Sequence, residues 1–199
     1  MLLEAKNVSF RYHKKGHWIL ENISFTMDNT ERIGIIAPSG FGKTTFCKLL
    51  SGYLKPTSGS IVLDGKHLPK RGYCPVQMIW QHPDLAVNPK LIMKEVLAEG
   101  NAVSKEIILA LGIQEQWLYR FSNTLSGGEL QRFCIARALG EGTKFLLADE
   151  ITTMLDLITQ SQIWHFLLQE IERRKIGLLV VSHDIDLLKQ ITTKQIYLK

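Results

Sequence analysis

The sequence predicts an α/β fold whose main sheet is parallel, and three observations lead to this prediction. Short apolar segments alternate with amphipathic helical segments along most of the chain, as in parallel strands joined by helices. Two strand-like segments come first without a helix between them, which predicts an antiparallel β element at the N-terminus. A stretch from about 82 to 125 shows helical periodicity without a strand, and we expect it to form a helical insertion.

The first half of the chain supplies the β element and the start of the α/β core. Residues 2–10 and 19–27 are predicted strands with a polar turn between them. Residues 32–37 form a short apolar strand that leads into a glycine-rich segment. A helix is predicted over 44–50, and it should end before Gly52 because glycine is typical just past a helix end.

The second half of the chain repeats the alternation of helix and strand. Short buried strands are predicted over 144–148 and 178–181. An amphipathic helix precedes each of them. The apolar faces of these helices consist of Leu130, Phe133, Cys134 and Ala138 in the first and Ile163, Phe166, Leu167 and Ile171 in the second.

The composition is that of a globular protein. Hydrophobic residues make up 45% and charged residues 22% of the 199 residues, which excludes an intrinsically disordered chain. No segment approaches the ~20 consecutive apolar residues of a membrane-spanning helix. Glu4 and Lys6 interrupt the first apolar segment, which excludes a secretory signal. We expect one soluble intracellular domain over 1–199, with a smaller helical subdomain inserted at about 82–125.

Charge and cysteine content narrow the function classes. The net charge of +5 is mild and its basic residues are scattered, so ordinary solvated surface is favoured over a nucleic-acid-binding face. Cys47, Cys74 and Cys134 are odd in number and lack a CxxC spacing. This pattern disfavours a disulfide framework and a structural zinc site, and it fits a reducing compartment.

The glycine-rich segment has the form of a phosphate-binding P-loop. Residues 37–44 read APSGFGKT and lie between a predicted strand and a predicted helix, which is the context that a P-loop requires. Gly40 and Gly42 let backbone N–H groups converge on a phosphate, and the helix directs its positive end at the same anion. Lys43 supplies a cation to the β- and γ-phosphates, and the Thr44 hydroxyl can ligate Mg²⁺.

Ala37 is a departure from the P-loop pattern, which has glycine at its first position. Alanine is tolerated there if the backbone φ angle is negative, and it strains the loop if φ is positive. We expect the phosphate cradle to be built by residues 40–44, so that Ala37 matters little.

A second acidic segment complements the P-loop. Residues 145–150 read FLLADE, an apolar strand that ends in two acids, which is the form of a Walker B segment. Asp149 is expected to hold the Mg²⁺ shell. Glu150 then lies where a general base can polarise the attacking water.

A third motif points to one family. Residues 125–129 read LSGGE and are followed by Leu130, Gln131 and Arg132, and this segment resembles the signature motif of ATP-binding-cassette (ABC) ATPases. Further segments match the family's motifs in the family's order. Tyr12 matches the aromatic residue that stacks on adenine, and Trp18 is the weaker candidate for that role. Gln81 matches the Q-loop, residues 153–156 match the D-loop, and His183 matches the switch histidine.

The resemblance spans residues 2 to about 185 and implies a fold, ligands and an assembly. The fold is a P-loop NTPase core with an N-terminal antiparallel β subdomain and a helical insertion. The cofactors are ATP and Mg²⁺. Family members form head-to-tail dimers in which the P-loop of one subunit and the signature of the other enclose each ATP, so the site of one subunit is incomplete.

The chain departs from the family pattern at two positions. Ile151 stands where proline is usual, and Met154 stands where a small residue is usual; neither position supplies a catalytic group.

The resemblance also implies roles for individual residues. The implied roles are catalysis by Glu150, His183 and Gln81, metal binding by Thr44, Gln81 and Asp149, and nucleotide binding by Tyr12, Pro38, Ser39, Gly40, Phe41, Gly42, Lys43, Thr44, Thr45, Ser126, Gly127, Gly128 and Asp156.

The segment after Gln81 suggests which kind of ABC protein this is. Residues 82–89 resemble the QDPxxSLNP segment of dipeptide, oligopeptide and nickel importers, with His82 in place of Asp and Ala86 in place of Ser. We therefore expect the ATP-hydrolysing subunit of an importer of a peptide, nickel or a metal–chelator complex, bound peripherally at the cytoplasmic face of the membrane.

The importer reading implies several partners. They are a second ATPase subunit, identical or paralogous, integral membrane permease subunits and, indirectly, an extracytoplasmic substrate-binding protein; no nucleic acid is expected. We also expect the apolar residues of 82–100 (Leu85, Val87, Leu91, Ile92 and Met93) to line a groove for a permease helix, unless they pack inside the helical insertion. The alternative function is a soluble ABC ATPase that acts on nucleic acid or another macromolecular assembly.

Overall fold

Two sheets organise the chain in the computed structural model, which describes residues 1–38 and 40–198. The strands are β1 (Leu2–Phe10), β2 (Leu20–Asp28), β3 (Arg32–Ile36), β4 (Ser58–Leu63), β5 (Lys66–His67), β6 (Val76–Ile79), β7 (Phe145–Asp149), β8 (Gly177–Val181) and β9 (Lys194–Tyr197). The first sheet is antiparallel with strand order β2-β1-β4-β5, and the second is parallel with order β6-β7-β8-β3-β9.

Six α-helices of the described residues connect or cover these sheets. They are α1 (Lys43–Leu50), α2 (Met93–Ala98), α3 (Lys105–Ala110), α4 (Gly127–Ala138), α5 (Leu157–Arg174) and α6 (Ile185–Ile191). Short 3₁₀ turns occupy Pro83–Ala86, Glu115–Tyr119 and Ser122–Thr124. None of the helices in the described part combines the length and the apolar character needed to span a bilayer.

The antiparallel sheet packs against the back of the P-loop helix. In β1, Leu3 pairs with Met27 of β2, and both side chains are fully buried. They join one core cluster with Phe46 and Leu50 of α1. Burial of such side chains stabilises the fold by about 1.5–3 kcal/mol each. The predicted antiparallel β element is therefore present, and it holds α1 from behind.

The parallel sheet is covered on both faces. Every residue of β7 and of β8 is buried, which is why these segments are continuously apolar in sequence rather than alternating. The two strands pair so that Asp149 lies opposite Val181, and Ile35 of β3 pairs with Val181 on the other side. The carboxyl ends of β3, β7 and β8 therefore meet at one edge, where open α/β sheets bind their ligands.

The stretch between β6 and α4 contains helices and 3₁₀ turns, joined by an isolated bridge between Ile92 and Phe121. Its core is built around Met93 and Trp117, which pack with Phe133 of α4. Arg132 of α4 also donates a hydrogen bond to the Leu111 carbonyl (2.7 Å). The fold is the P-loop NTPase architecture with a helical insertion that the resemblance implies.

The apolar residues of 82–100 do not form the expected groove. Val87 and Met93 are buried, and Leu91 packs against the same core cluster, so the alternative of internal packing holds for them. The other two residues differ: Leu85 has 67% of its surface exposed, and Ile92 is half-buried. Val87, Leu91 and Met93 pack inward because the segment is short and must supply the apolar contacts that hold the insertion onto α4.

Candidate active site

The loop between β3 and α1 requires glycine at two positions. Gly40 and Gly42 have φ angles of 83° and 78°, which residues with a Cβ rarely adopt. A Cβ on Gly42 would also lie 2.9 Å from Cγ2 of Ile19, closer than real contacts. Ser39, one of the predicted nucleotide-binding residues, lies outside the described residues. This turn brings the first amides of α1 to the carboxyl end of β3, where an anion can meet them.

Lys43 lies inside the loop that precedes it. Its side chain is buried, and its Nζ donates hydrogen bonds to the carbonyls of Ala37 (2.8 Å) and Pro38 (3.1 Å). The ammonium group is therefore held at the loop rather than extended into solvent. A phosphate in the loop would meet this cation together with the amides of α1.

Ala37 does not strain the loop. It is absent from the non-glycine residues with positive φ in the described part of the chain. It also packs against the core cluster beneath α1. Of the two alternatives that the sequence left open, the backbone therefore adopts the one without positive φ, in which alanine is tolerated.

The substitution Ala37→Gly is expected to leave ATP affinity and the hydrolysis rate within a few-fold, because no strain is present to relieve. Gly42→Ala is the matched control in the same loop. It places a Cβ at positive φ and against Ile19, and it should weaken ATP binding by roughly tenfold or more. Nucleotide titration followed by fluorescence measures the ATP affinity of both variants, and a phosphate-release assay measures their hydrolysis rates. A tenfold gain of activity in Ala37→Gly would contradict the relaxed loop.

Asp149 is positioned to bind a metal ion. It ends β7, is only 1% exposed, and its Oδ2 has no hydrogen-bond partner among the described residues. Burial is the largest influence on its carboxyl and raises the pKa of Asp149, whereas the hydrogen bond from Thr44 opposes that rise. A buried carboxylate oxygen without a partner, beside a hydroxyl, is a donor set that suits Mg²⁺. The residues present fit the ion.

Gln81, Glu150 and His183 meet at one carboxylate. Gln81 Nε2 donates to Oε2 of Glu150 (2.8 Å), and His183 Nε2 lies 3.0 Å from Oε1. These residues follow β6, β7 and β8, three neighbouring strands of the parallel sheet. The strand order therefore brings together residues that are far apart in sequence. Both Glu150 oxygens are engaged, so the direction of the carboxylate is defined.

The backbone of Glu150 is in a sparsely populated conformation. Its φ angle is 50°, and its N–H donates to the Val181 carbonyl (3.0 Å), which ties the turn to β8. A left-handed conformation at a residue with a side chain costs of order 1–3 kcal/mol and is retained where the surrounding structure imposes it. Here it turns the glutamate side chain away from the strand direction and towards Gln81 and His183.

Tyr12 lies beside the P-loop helix. Its hydroxyl is 3.1 Å from Oγ1 of Thr45, and its ring makes an edge contact with Phe10 (4.9 Å between centroids). The rest of the ring is exposed and can receive a flat aromatic ligand. Trp18 is less suitable, because the Arg11 guanidinium covers one face of its ring at 4.5 Å.

The signature motif begins α4 with a capping box. Ser126 accepts a hydrogen bond from the Glu129 N–H (3.2 Å), and Glu129 accepts one from the Ser126 N–H (2.7 Å). The latter bond lowers the pKa of the Glu129 carboxyl. Ser126 and Gly127 are exposed, and a Cβ on Gly127 would lie 3.4 Å from Sδ of Met154. The motif thus contacts its own D-loop and presents its helix end to solvent.

Asp156 has a structural role in this chain. It is the N-cap of α5 and accepts a hydrogen bond from the Thr159 N–H (3.0 Å). Hydrogen bonds from Thr159 lower the pKa of Asp156. Its predicted contact with nucleotide stays a prediction.

Two residues to which the sequence assigned no role of their own, Lys48 and Gln131, support the site from behind. Lys48 Nζ lies 4.4 Å from the centroid of the Trp80 ring, and the positive charge of Lys48 partly opposes the rise in the pKa of Asp149 that burial causes. Gln131 is buried and donates to the Trp80 carbonyl (3.3 Å), one residue before Gln81. Gln131 follows the LSGGE segment directly, but its contact with the residue before Gln81 depends on how α4 packs and could not be predicted from that segment.

Comparison with known proteins gives the same assignment at family level. The model of the ABC transporter family matches residues 20–153. The nickel import system ATP-binding protein NikE of Staphylococcus aureus is 31% identical over 212 residues, which cover all of this chain and 87% of that protein. The energy-coupling factor transporter ATP-binding protein EcfA1 of Oceanobacillus iheyensis is 32% identical and covers 96% of this chain and 72% of its own length. Among solved structures, the dimeric bacterial ABC transporter cassette MJ0796 superimposes with a TM-score of 0.83 at 27% identity, over 99% of this chain and 94% of that one.

Proposed function

This chain belongs to the ABC transporter family as an ATPase subunit, and on that premise we propose that it drives the import of nickel, a peptide or a metal–chelator complex. The main support for an ATPase site is that Gln81 and His183 both contact Glu150, next to the P-loop and Asp149. Support for import comes from the similarity to NikE over the full chain and from the importer-like residues 82–89.

The proposed site works through charge placement and one carboxylate. Lys43 and the amides at the start of α1 bind the β- and γ-phosphates of ATP, and Tyr12 stacks on the adenine. Thr44 and Asp149 would hold Mg²⁺, which supplies positive charge to the phosphate oxygens. Glu150 orients the attacking water and accepts its proton, while Gln81 and His183 hold the carboxylate in direction.

A second subunit completes the proposed site. Ser126 and Gly127 are exposed at the start of α4, where backbone donors and the helix dipole favour an anion. In the proposed head-to-tail dimer this end caps the γ-phosphate held by the partner's P-loop. Hydrolysis then depends on closure of the dimer.

The proposed membrane partner docks beside the end of α1. A cavity of about 300 Å³ lies there, and its lining includes Tyr53, Tyr73, Glu99 and Arg137. Tyr53 makes an edge contact with Trp80 (5.2 Å between centroids), the residue before Gln81. A permease helix whose side chains enter this cavity would touch Tyr53, which is linked to Glu150 through Trp80 and its neighbour in sequence, Gln81. Membrane-peripheral location follows from this docking.

Cross-linking tests the docking site. In a Cys74→Ser background, Tyr53→Cys is expected to cross-link to cytoplasmic loops of co-expressed permease subunits, because its side chain is exposed and lines the cavity. Leu109→Cys on α3 is the control, since Leu109 is also exposed but lies outside the cavity lining. An intact complex that cross-links only through Leu109→Cys would refute the proposed docking.

The import function is tested in the reconstituted complex. Membrane vesicles that contain the chain with its permeases are expected to take up radiolabelled nickel, nickel–chelator complex or peptide only when ATP is supplied. The Glu150→Gln complex is the control for hydrolysis. Purification without any membrane subunit, together with ATPase activity stimulated by nucleic acid, would instead favour a soluble ABC ATPase.

A further inference from the structure

The glutamine that contacts the candidate base follows a tryptophan that has its own set of contacts. Trp80 lies directly after β6, which ends at Ile79 opposite Ala148 of β7. The next residue, Gln81, donates to Oε2 of Glu150 over 2.8 Å. Because Gln81 lies beyond the paired part of the strand, its position depends on what holds Trp80.

Trp80 is held from two helices and a turn. Lys48 Nζ of α1 lies 4.4 Å from the centroid of its ring, within the range of a cation–π contact. Tyr53, in the turn after α1, makes a perpendicular contact with the same ring, and Gln131 of α4 donates to the Trp80 carbonyl (3.3 Å). The indole Nε1 is buried and has no hydrogen-bond partner among the described residues. The ring is therefore held by contacts with its π system.

The charge of Lys48 has two groups on which it can act. It partly opposes the effect of burial on Asp149, but none of the ion pairs in the described part of the chain includes Lys48. With the Trp80 ring, in contrast, its ammonium group is in direct contact. The geometry favours the ring over the carboxylate as the group on which Lys48 acts.

The helix that carries Lys48 also carries the P-loop lysine. Lys43 and Thr44 begin α1, and Lys48 lies in its last turn. The helix is fixed in the core by fully buried side chains, which are Phe46, Cys47, Leu49 and Leu50. A contact from Lys48 to Trp80 therefore ties the segment that contains Gln81 to the same rigid helix that is proposed to bind the phosphates.

We propose that Lys48 is a positioning residue for hydrolysis, whose ammonium group holds the Trp80 ring and thereby keeps Gln81 against Glu150. The inference rests on the proposed ATPase function and adds a residue that contacts neither the nucleotide nor the metal ion in that mechanism. Without the contact, Gln81 and the Glu150 carboxylate lose their fixed direction, which slows the chemical step. The amides and Lys43 that bind the phosphates are unchanged, so ATP affinity is retained.

Lys48→Met tests this role, because it removes the charge and keeps an unbranched side chain. At saturating ATP and Mg²⁺, kcat is expected to fall by roughly threefold to thirtyfold, the range that loss of one cation–π contact gives. The equilibrium dissociation constant for ATP should stay the same. Lys48→Arg should restore kcat, since a guanidinium group also stacks on an aromatic face. Lys105→Met, at an exposed position of α3, is the control for net charge and should leave kcat unchanged.

A double-mutant cycle shows whether Lys48 acts through Trp80. Trp80→Leu should lower kcat, and Lys48→Met in that background should lower it no further, because the contact can be lost only once. Trp80→Phe keeps an aromatic face and should lose less than Trp80→Leu. Tryptophan fluorescence adds a readout that does not depend on activity, since the change in emission caused by Lys48→Met should be absent in the Trp80→Leu background. A thermal melt of each variant confirms that it is folded.

The outcomes separate this inference from the proposed function. If Lys48→Met lowers kcat equally with and without Trp80 and raises the Mg²⁺ concentration that gives half-maximal rate, Lys48 acts on Asp149 and the inference is overturned. An unchanged kcat in Lys48→Met, or a loss of ATP affinity that accounts for the slower rate, overturns it as well. In each of these cases the ATPase function stands. If the unsubstituted chain does not hydrolyse ATP, the proposed function fails, and the inference fails with it.

Discussion

Glu150→Gln is expected to slow ATP hydrolysis by roughly 10²–10⁴-fold, the usual contribution of a general base. The substitution keeps the size of the side chain and its reach towards Gln81 and His183, but it removes the negative charge and most of the basicity. ATP affinity should survive, because Lys43, Thr44 and the loop amides are unchanged. Single-turnover hydrolysis measured beside equilibrium binding separates the two effects.

The same variant should accumulate a closed dimer with ATP trapped between Lys43 of one subunit and Ser126 of the other. If hydrolysis opens the dimer, a variant that binds ATP but hydrolyses it slowly accumulates in the closed state. Size-exclusion chromatography in ATP without Mg²⁺ reveals it, with a paralogous partner added if there is one. His183→Ala is the matched variant, since it frees one Glu150 oxygen but leaves the base itself in place. Parental hydrolysis in Glu150→Gln would transfer the role of base to His183.

Lys43→Ala is expected to weaken ATP binding by roughly a hundredfold or more, because it removes a buried cation that would face the phosphates. It should also prevent the ATP-dependent dimer, unlike Glu150→Gln. The carbonyls of Ala37 and Pro38 lose their donor, but they border an open loop and can be hydrated, so stability should change little. Isothermal titration with a non-hydrolysable ATP analogue measures the loss.

Two controls accompany Lys43→Ala. Lys105→Ala, at an exposed position of α3, makes the same change in net charge and should leave affinity unchanged. Lys43→Arg keeps the positive charge but replaces a compact ammonium group with a planar fork, and it should restore only part of the binding. Unchanged affinity in Lys43→Ala would mean that the loop does not bind phosphates.

Short motifs could be predicted from the sequence because their chemistry depends on residues that are adjacent along the chain. A phosphate cradle needs consecutive amides, two glycines and a lysine, so residues 37–44 were sufficient to predict the loop. The continuously apolar β7 and β8 were predicted for a similar reason, since strands buried on both faces need no alternation. The family resemblance came from the order of such motifs along the chain.

Elements that are stabilised mainly by tertiary contacts could not be predicted from the sequence. They are the strands β4, β5, β6 and β9 and helix α6. β6 has four residues, and β9 (KQIY) is partly polar and is a strand only because its backbone pairs with β3. The groove expected from residues 82–100 failed on similar grounds. Whether Val87 and Met93 face a partner or the core depends on how the insertion packs against α4.

The sequence by itself determined the family, and it predicted the phosphate loop, the metal-side carboxylate and the candidate base, because each prediction rests on contiguous residues. Only the tertiary structure decided that Gln81 and His183 hold Glu150 between them, since that meeting depends on the order β6-β7-β8 in the sheet. It also decided that Ala37 is unstrained and that Met154 lies on the signature glycine. Strand order and helix packing are long-range properties, and hydrophobic patterns along a chain specify which residues are buried but not which neighbours they meet.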